Sequence, residues 1–257
     1  MSFDDVKREV AIGNRVLAYL GLCTHTTASL GHVSLRVPDS PEHFVVKGRG
    51  YEIDAVPAMK AADMIVCNLE GEKVDGPPGT TACYEVKIHS AIFKNYPDVK
   101  SVVHVHPPYA VLMSIFGTPL QPMGFGNNTA VPMWPHKRLV STDADGEGVA
   151  ALMDGSRLAL LLGHGAVSTG TSIATSIMNM LSLEEQAKLN YLALAAYGPD
   201  YPRLSDEMLK ETADQPAWWD LPHFQSSIAP GTDPRVSQSG VQSGPYKYWA
   251  QQVQEGV

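Results

Sequence analysis

The sequence predicts an α/β domain, and three observations point there. Short β-rich runs bounded by turn formers recur in the N-terminal part of the chain, helical and strand-like segments interleave after them, and a buried apolar strand runs into Gly163-His164-Gly165. At 257 residues the chain suits a single α/β domain. Hydrophobic residues make up 44 % and charged residues 18 %, which is the composition of a globular protein with a filled core.

The elements follow in order. Ser2-x-x-Asp5 caps a first helix whose apolar residues Val6, Val10, Leu17 and Leu20 share one face, and Gly21 ends it. Val33, Leu35 and Val37 alternate with polar neighbours up to Pro38, and Phe44-Val45-Val46 and Met64-Ile65-Val66 add two more strands of an antiparallel sheet. Asp75-Gly76-Pro77-Pro78-Gly79 is a loop that presents a helix over Tyr84–Asn95. Ser101–Val105 is a strand, Tyr109–Phe116 a helix and Leu158–Leu162 a buried strand. Ser172–Tyr197 is the longest helix, with Ile173, Ile177, Met180, Leu181, Leu189, Leu192 and Ala196 on a wide apolar stripe that marks a core or interface helix. A short helix spans Ser205–Ala213. The catalytic domain is expected over 1–215. The remaining segment, 216–257, is expected to be an irregular tail packed on its own domain or on a neighbouring subunit, with Trp218 and Trp219 as anchors. There is no internal repeat.

Charge and composition exclude several functions. A net charge of −8 with no lysine or arginine cluster argues against a nucleic-acid partner. Acids follow the initiating Met1, where a secretory or transit segment would carry basic residues, and no apolar stretch is long enough to span a bilayer, so a cytoplasmic protein without membrane contact is expected. Cys23, Cys67 and Cys83 match no metal or redox spacing and are given structural roles.

The sharpest chemical signal is Val103-His104-Val105-His106-Pro107-Pro108. Histidines two apart on a strand share a face and can bind one metal ion, although one core histidine and one strand-end histidine would give the same pattern. His164, between two glycines at the end of a buried strand, is the candidate third ligand. Three neutral imidazoles with an open fourth position suit a catalytic zinc, manganese, iron or cobalt ion. Glu85, at the start of a helix, is the acid/base candidate beside the metal, or else an acid that favours the helix dipole. His89, one turn further on, is a supporting or packing residue.

With these residues assembled, the chain resembles the class II aldolase/adducin family from the first helix to about Tyr197. The resemblance rests on Gly31-His32-Val33-Ser34-Leu35-Arg36, Lys47-Gly48-Arg49-Gly50, Glu85-Val86-Lys87-Ile88-His89, Ser101-Val102-Val103-His104-Val105-His106 and Leu162-Gly163-His164-Gly165. It implies a three-layer α/β/α fold with a mainly antiparallel central sheet, a homotetramer with active sites at subunit interfaces, one divalent metal ion per subunit held by His104, His106 and His164, and Glu85 as acid/base catalyst. An adducin-like module without catalysis needs no metal ligands, and the presence of all four residues argues against it.

The departures from the family pattern carry information of their own. Sugar-phosphate aldolases of the family hold phosphate with Gly-Asn, Ser-Gly and Ser-Ser pairs, and here those positions are Gly31-His32, Gly48-Arg49-Gly50 and Cys83-Tyr84. An arginine forks onto a carboxylate and a tyrosine ring packs beside an aromatic substrate. Phe125 stands in the stretch where the aldolases supply a tyrosine proton donor. The pattern is similar to the branch that decarboxylates dihydroxyphthalates or a hydroxypyridine dicarboxylate. The resemblance then implies a metal-dependent decarboxylase of a hydroxylated aromatic (di)carboxylate, with the metal stabilising an enolate-like state, Glu85 protonating the ring carbon, and His32, Arg49 and Tyr84 binding substrate. The alternative is an aldolase or epimerase acting on a sugar or hydroxy-keto acid.

Overall fold

The computed structural model describes residues 2–117, 119–123, 130–225 and 234–257, with backbone alone at 212, 218 and 234–243. Eight strands form one sheet: β1 (His32–Val37), β2 (Ser40–Lys47), β3 (Met64–Asn68), β4 (Lys73–Asp75), β5 (Ser101–Val105), β6 (Met133–Trp134), β7 (Leu158–Leu161) and β8 (Gly165–Gly170), in the order β4-β3-β2-β1-β5-β8-β7-β6. Every pairing is antiparallel except β6 with β7. The mainly antiparallel sheet expected from the sequence is therefore present.

Alternation along the strands divides the core into two layers. Val33, Leu35, Val45, Val103 and Val105 pack with α1 (Phe3–Tyr19) and α5 (Ile173–Tyr197). Phe44, Val46, Val102 and Val167 pack on the other face with α2 (Val86–Asn95) and α4 (Asp143–Ala151). By the same parity His32, Ser34 and His104 lie on the α2 face. Residue register fixes their neighbourhood, since β1 and β5 pair with His32 opposite His104 and Ser34 opposite Val102.

Local chemistry explains most of the ends. Ser2 and Asp5 close the capping box on α1, and Thr142 and Ser172 cap α4 and α5. The helix α3 spans Pro108–Phe116. In α5 the apolar stripe is buried through Ile173, Ile177, Met180, Leu183 and Ala187, whereas the expected stripe residues Leu189 and Leu192 are exposed. The three cysteines are buried free thiols, and burial pushes those of Cys23 and Cys67 up to about 12, which disfavours the thiolate and suits structural roles.

The segment after 216 corrects an expectation. It is not irregular throughout: beyond α6 (Asp206–Ala213) and α7 (Pro222–Gln225), α8 spans Pro234–Val253. Tyr246, Trp249, Ala250 and Val253, at helical spacing, pack on the α1 side of the core. Arg15 of α1 then satisfies the end of α8, donating from Nη1 to the carbonyls of Val253 (3.0 Å) and Glu255 (2.7 Å) and from Nη2 to that of Gly256 (3.2 Å). The sequence pattern also gives no sign of β4, α4, β6 and β8, and Asp75, expected to open a loop, ends β4. Two glycines weaken the helical signal of α4, yet Gly146 is what lets that helix touch α2, because a Cβ there would stand 2.6 Å from the Lys87 carbonyl oxygen. No helix among the described residues is long and apolar enough to cross a membrane.

Candidate metal centre and active site

The strand β5 aims His104 at the α2 layer, and His106 follows where the strand ends. The β7–β8 turn brings His164 to the same place. A Cβ on Gly165 would lie 2.6 Å from the Val105 carbonyl oxygen and 3.1 to 3.2 Å from the rings of His104 and His106, so glycine permits this approach. Glu85 occupies the N-cap of α2 without making a capping bond. Its carboxylate turns instead to the histidines. Oε1 accepts the Val140 N–H at 3.0 Å, Oε2 lies 3.0 Å from His104 Nε2, and His164 Nε2 sits 3.3 Å from the same oxygen without hydrogen-bond geometry. One ligand atom from each of Glu85, His104, His106 and His164 falls within 4.8 Å of all the others.

Three observations show that this cluster fits a divalent cation. His104 Nδ1 lies 3.0 Å from the Ala166 carbonyl, which can only accept, so its proton is committed there and Nε2 is left facing a carboxylate. Two acceptors then confront each other unless a proton or a metal ion lies between them. His106 Nδ1 and both ring nitrogens of His164 are buried without any hydrogen-bond partner, which buried polar atoms rarely tolerate. Burial, reinforced by His104 and His164, pushes His106 down to about 3, keeping it in the neutral form that binds metal. Burial alone would raise the Glu85 carboxyl, but His104 and His164 hold it well below the usual carboxylate range. The donor set of three imidazoles and one carboxylate suits zinc, manganese, iron or cobalt, and hard-cation cages of oxygen alone are a different chemistry.

The remaining candidates line the same cavity, of about 280 Å³, with Glu85, His106 and His164. Arg49 is held by Asp54 Oδ2 at 3.1 Å and by the Ser29 carbonyl at 3.1 Å, with its guanidinium 5.1 Å from the Tyr84 ring centroid. A backbone bridge to Thr81 brings the Arg49 loop beside the segment carrying Tyr84 and Glu85. Tyr84 is 67 % exposed and forms the rim. His32 is buried, with Nδ1 2.7 Å from His89 Nε2. Phe125 lies outside the described residues.

Lys47 is the cavity residue that sequence reasoning did not assign. Its side chain is 1 % exposed, ion-paired with Asp54, and bonded to the carbonyls of Gly48 and Ser29. Lys47 and Arg49 thus share a single carboxylate, so the Lys47–Asp54–Arg49 group carries one positive charge in excess on its side of the cavity. A lysine directly after the buried run Phe44-Val45-Val46 was the available signal, since charged residues are rarely fully buried without a reason.

The family model for the class II aldolase and adducin N-terminal domain matches residues 8–191. The chain belongs to that family. It is 28 % identical over 221 residues to a 3,4-dihydroxyphthalate decarboxylase from Arthrobacter keyseri, covering 81 % of this chain and 86 % of the relative. It is 31 % identical over 181 residues to a 3-oxo-tetronate 4-phosphate decarboxylase from Pectobacterium atrosepticum, covering 65 % and 77 %. Among solved structures, an aldolase II superfamily protein from Pseudomonas syringae superposes with a TM-score of 0.76 at 20 % identity, covering 98 % of this chain and 94 % of that one, which shows the shared α/β fold. The expectation of a carbon–carbon lyase of the carboxy-lyase kind fits these relatives.

Proposed function

We propose that the protein is a divalent-metal-dependent decarboxylase of a hydroxylated aromatic carboxylate, a dicarboxylate in preference. The observation that carries this reading is the meeting, in one cavity of about 280 Å³, of a histidine/glutamate ligand cluster with Lys47, Arg49 and His32. That volume lies near the lower end for small-molecule pockets and suits a single substituted ring. The likeness to the dihydroxyphthalate decarboxylase supports the same choice.

In this reading His104, His106 and His164 hold zinc, manganese, iron or cobalt, which when bound supplies Lewis acidity toward the ring hydroxyl and its neighbouring carboxylate. Arg49 holds a carboxylate by charge-assisted hydrogen bonds from the guanidinium hydrogens that Asp54 and Ser29 leave free, Lys47 adds its buried positive charge from behind, and Tyr84 flanks the ring. Glu85 Oε2 takes the proton of the ring hydroxyl. The bond from ring carbon to carboxylate breaks, carbon dioxide leaves, and the electron pair remains on the ring carbon. Glu85 returns its proton to that carbon, so proton and charge balance. Tyr84 and Leu139 border the cavity yet are 67 % and 52 % exposed, a rim that a neighbouring subunit would cover in the homotetramer that the family resemblance implies. Residues 1–215 form the catalytic domain in this account, with 216–257 as its appended segment.

The second reading draws on the tetronate-phosphate relative, because Arg49 with the Lys47 charge behind it would hold a phosphate as well as a carboxylate. One experiment separates the two. Carbon dioxide release is measured from hydroxylated phthalates, hydroxybenzoates, pyridine dicarboxylates and phosphorylated sugar acids, with a chelator-treated sample alongside. Metal-dependent release from a hydroxy-aromatic acid is expected. Release from the sugar acids alone would replace the aromatic substrate, and release unaffected by chelation would remove the metal.

A further inference from the structure

Behind the cavity, three buried polar groups form a chain that neither the ligand cluster nor the cation pair uses. The β1–β5 register turns His32 and Ser34 toward α2, and His89 of α2 fits between them. His32 Nδ1 lies 2.7 Å from His89 Nε2, and His89 Nδ1 lies 2.6 Å from Ser34 Oγ. Ser34 and His89 are fully buried, and Phe44 stacks on the His89 ring. We infer that Ser34 and His89 are positioning residues that fix His32 as an N–H donor toward the substrate, a specificity device for an anionic oxygen.

The direction of the chain follows from counting protons. Each short bond holds one hydrogen, so the polarity of the whole chain is set at its closed end, by Ser34. The hydroxyl has two targets: His89 Nδ1 at 2.6 Å, and the Val102 carbonyl at 3.5 Å, the outer limit of a hydrogen bond. Donation to Val102 would point every proton the other way and leave His32 with a lone pair facing the cavity. Donation to His89 makes only short bonds. His89 then carries its proton on Nε2 and gives it to His32 Nδ1, and the His32 proton stands on Nε2, the nitrogen left for the cavity that His32 lines. A doubly protonated His89 would put a cation in a fully buried site beside Phe44, at a large desolvation cost.

The consequence is a donor set without acceptors. His32 Nε2–H joins the free N–H groups of Arg49, with the Lys47 charge behind them, so that part of the cavity accepts a carboxylate or an ionised hydroxyl and rejects a ligand presenting N–H there. This rests on the reading that the cavity binds an anionic substrate, but the tautomer itself does not.

The test is long-range proton–nitrogen correlation NMR on the full-length, zinc-loaded protein with labelled histidine. His32 and His89 should both carry hydrogen on Nε2. Ser34→Ala should mix the tautomers of His32 and lower kcat/KM about tenfold, with metal content unchanged, while Ser34→Thr should restore both. A wild-type His32 protonated on Nδ1 would overturn the inference, and so would unchanged tautomers in Ser34→Ala. If the variants fail to fold, the wild-type spectrum alone decides. The spectrum needs no substrate, so the predicted tautomers in a protein that releases no carbon dioxide would refute the decarboxylase reading and uphold this one.

Discussion

Around the cavity, His106 and His164 keep buried ring nitrogens with no partner, whereas Lys47, Arg49 and His32 are each tied to a neighbour. The first set is unfinished and the second is already assembled. Buried polar atoms left unpaired cost free energy, so the ligand cluster is built to be completed by something that accepts lone pairs. The donor set has the opposite economy: Asp54 and the Ser29 carbonyl hold its cations in place, so an arriving anion meets them without reorganisation. One set should govern whether the protein holds metal and turns over, the other how tightly and selectively it binds.

Substitutions can break that division of labour. The largest effect is expected from His164→Ala, which should lower metal content and reduce activity by about a hundredfold or more, as read by elemental analysis and turnover of the purified protein. A fully loaded variant would dismantle the proposed ligand triad. Next comes Glu85→Gln, which should keep the metal and lower kcat roughly 10² to 10⁴-fold with little change in KM; turnover near that of the wild type would remove Glu85 from proton transfer. Arg49→Gln probes the other set, and steady-state kinetics should show KM raised by roughly ten- to a hundredfold with metal content untouched. A loss of metal there would mean that the two sets are not separable. The smallest effect on catalysis belongs to a residue outside both, since Arg15→Ala frees the carbonyls at the end of α8. It should cost about 1 to 3 kcal/mol in denaturant unfolding and speed amide exchange over residues 244–257, leaving metal content as it was.

Much of the ligand set was legible because it depends on local pattern. Two histidines two apart on a strand, a histidine between glycines, and a glutamate opening a helix can each be seen within a few residues. Five of the eight strands were legible for the same reason, from runs such as Phe44–Val46 and Leu158–Leu161, whereas the short β4 and β6 and the glycine-bounded β8 were not. The donor set was visible only in part, because its role is settled by pairings far apart in sequence. Arg49 stood out against the family pattern, but Lys47 becomes a cavity residue through Asp54 and the Ser29 carbonyl, and His89 acquires its task only when β1 is laid against α2. The helix α8 hid for a different reason. Its stripe at Tyr246, Trp249, Ala250 and Val253 has helical spacing, but Pro245 and a Ser/Gln/Gly-rich run precede it, and its partner Arg15 lies at the far end of the chain.

The most direct test of the central claim is the ratio of kcat/KM for 3,4-dihydroxyphthalate to that for 3-oxo-tetronate 4-phosphate, measured with the same metal-loaded protein. The account predicts a ratio above about 100, since a pocket built to hydrogen-bond one substrate discriminates strongly against a mismatched one. A ratio below one would contradict it and assign the cavity to a phosphorylated sugar acid.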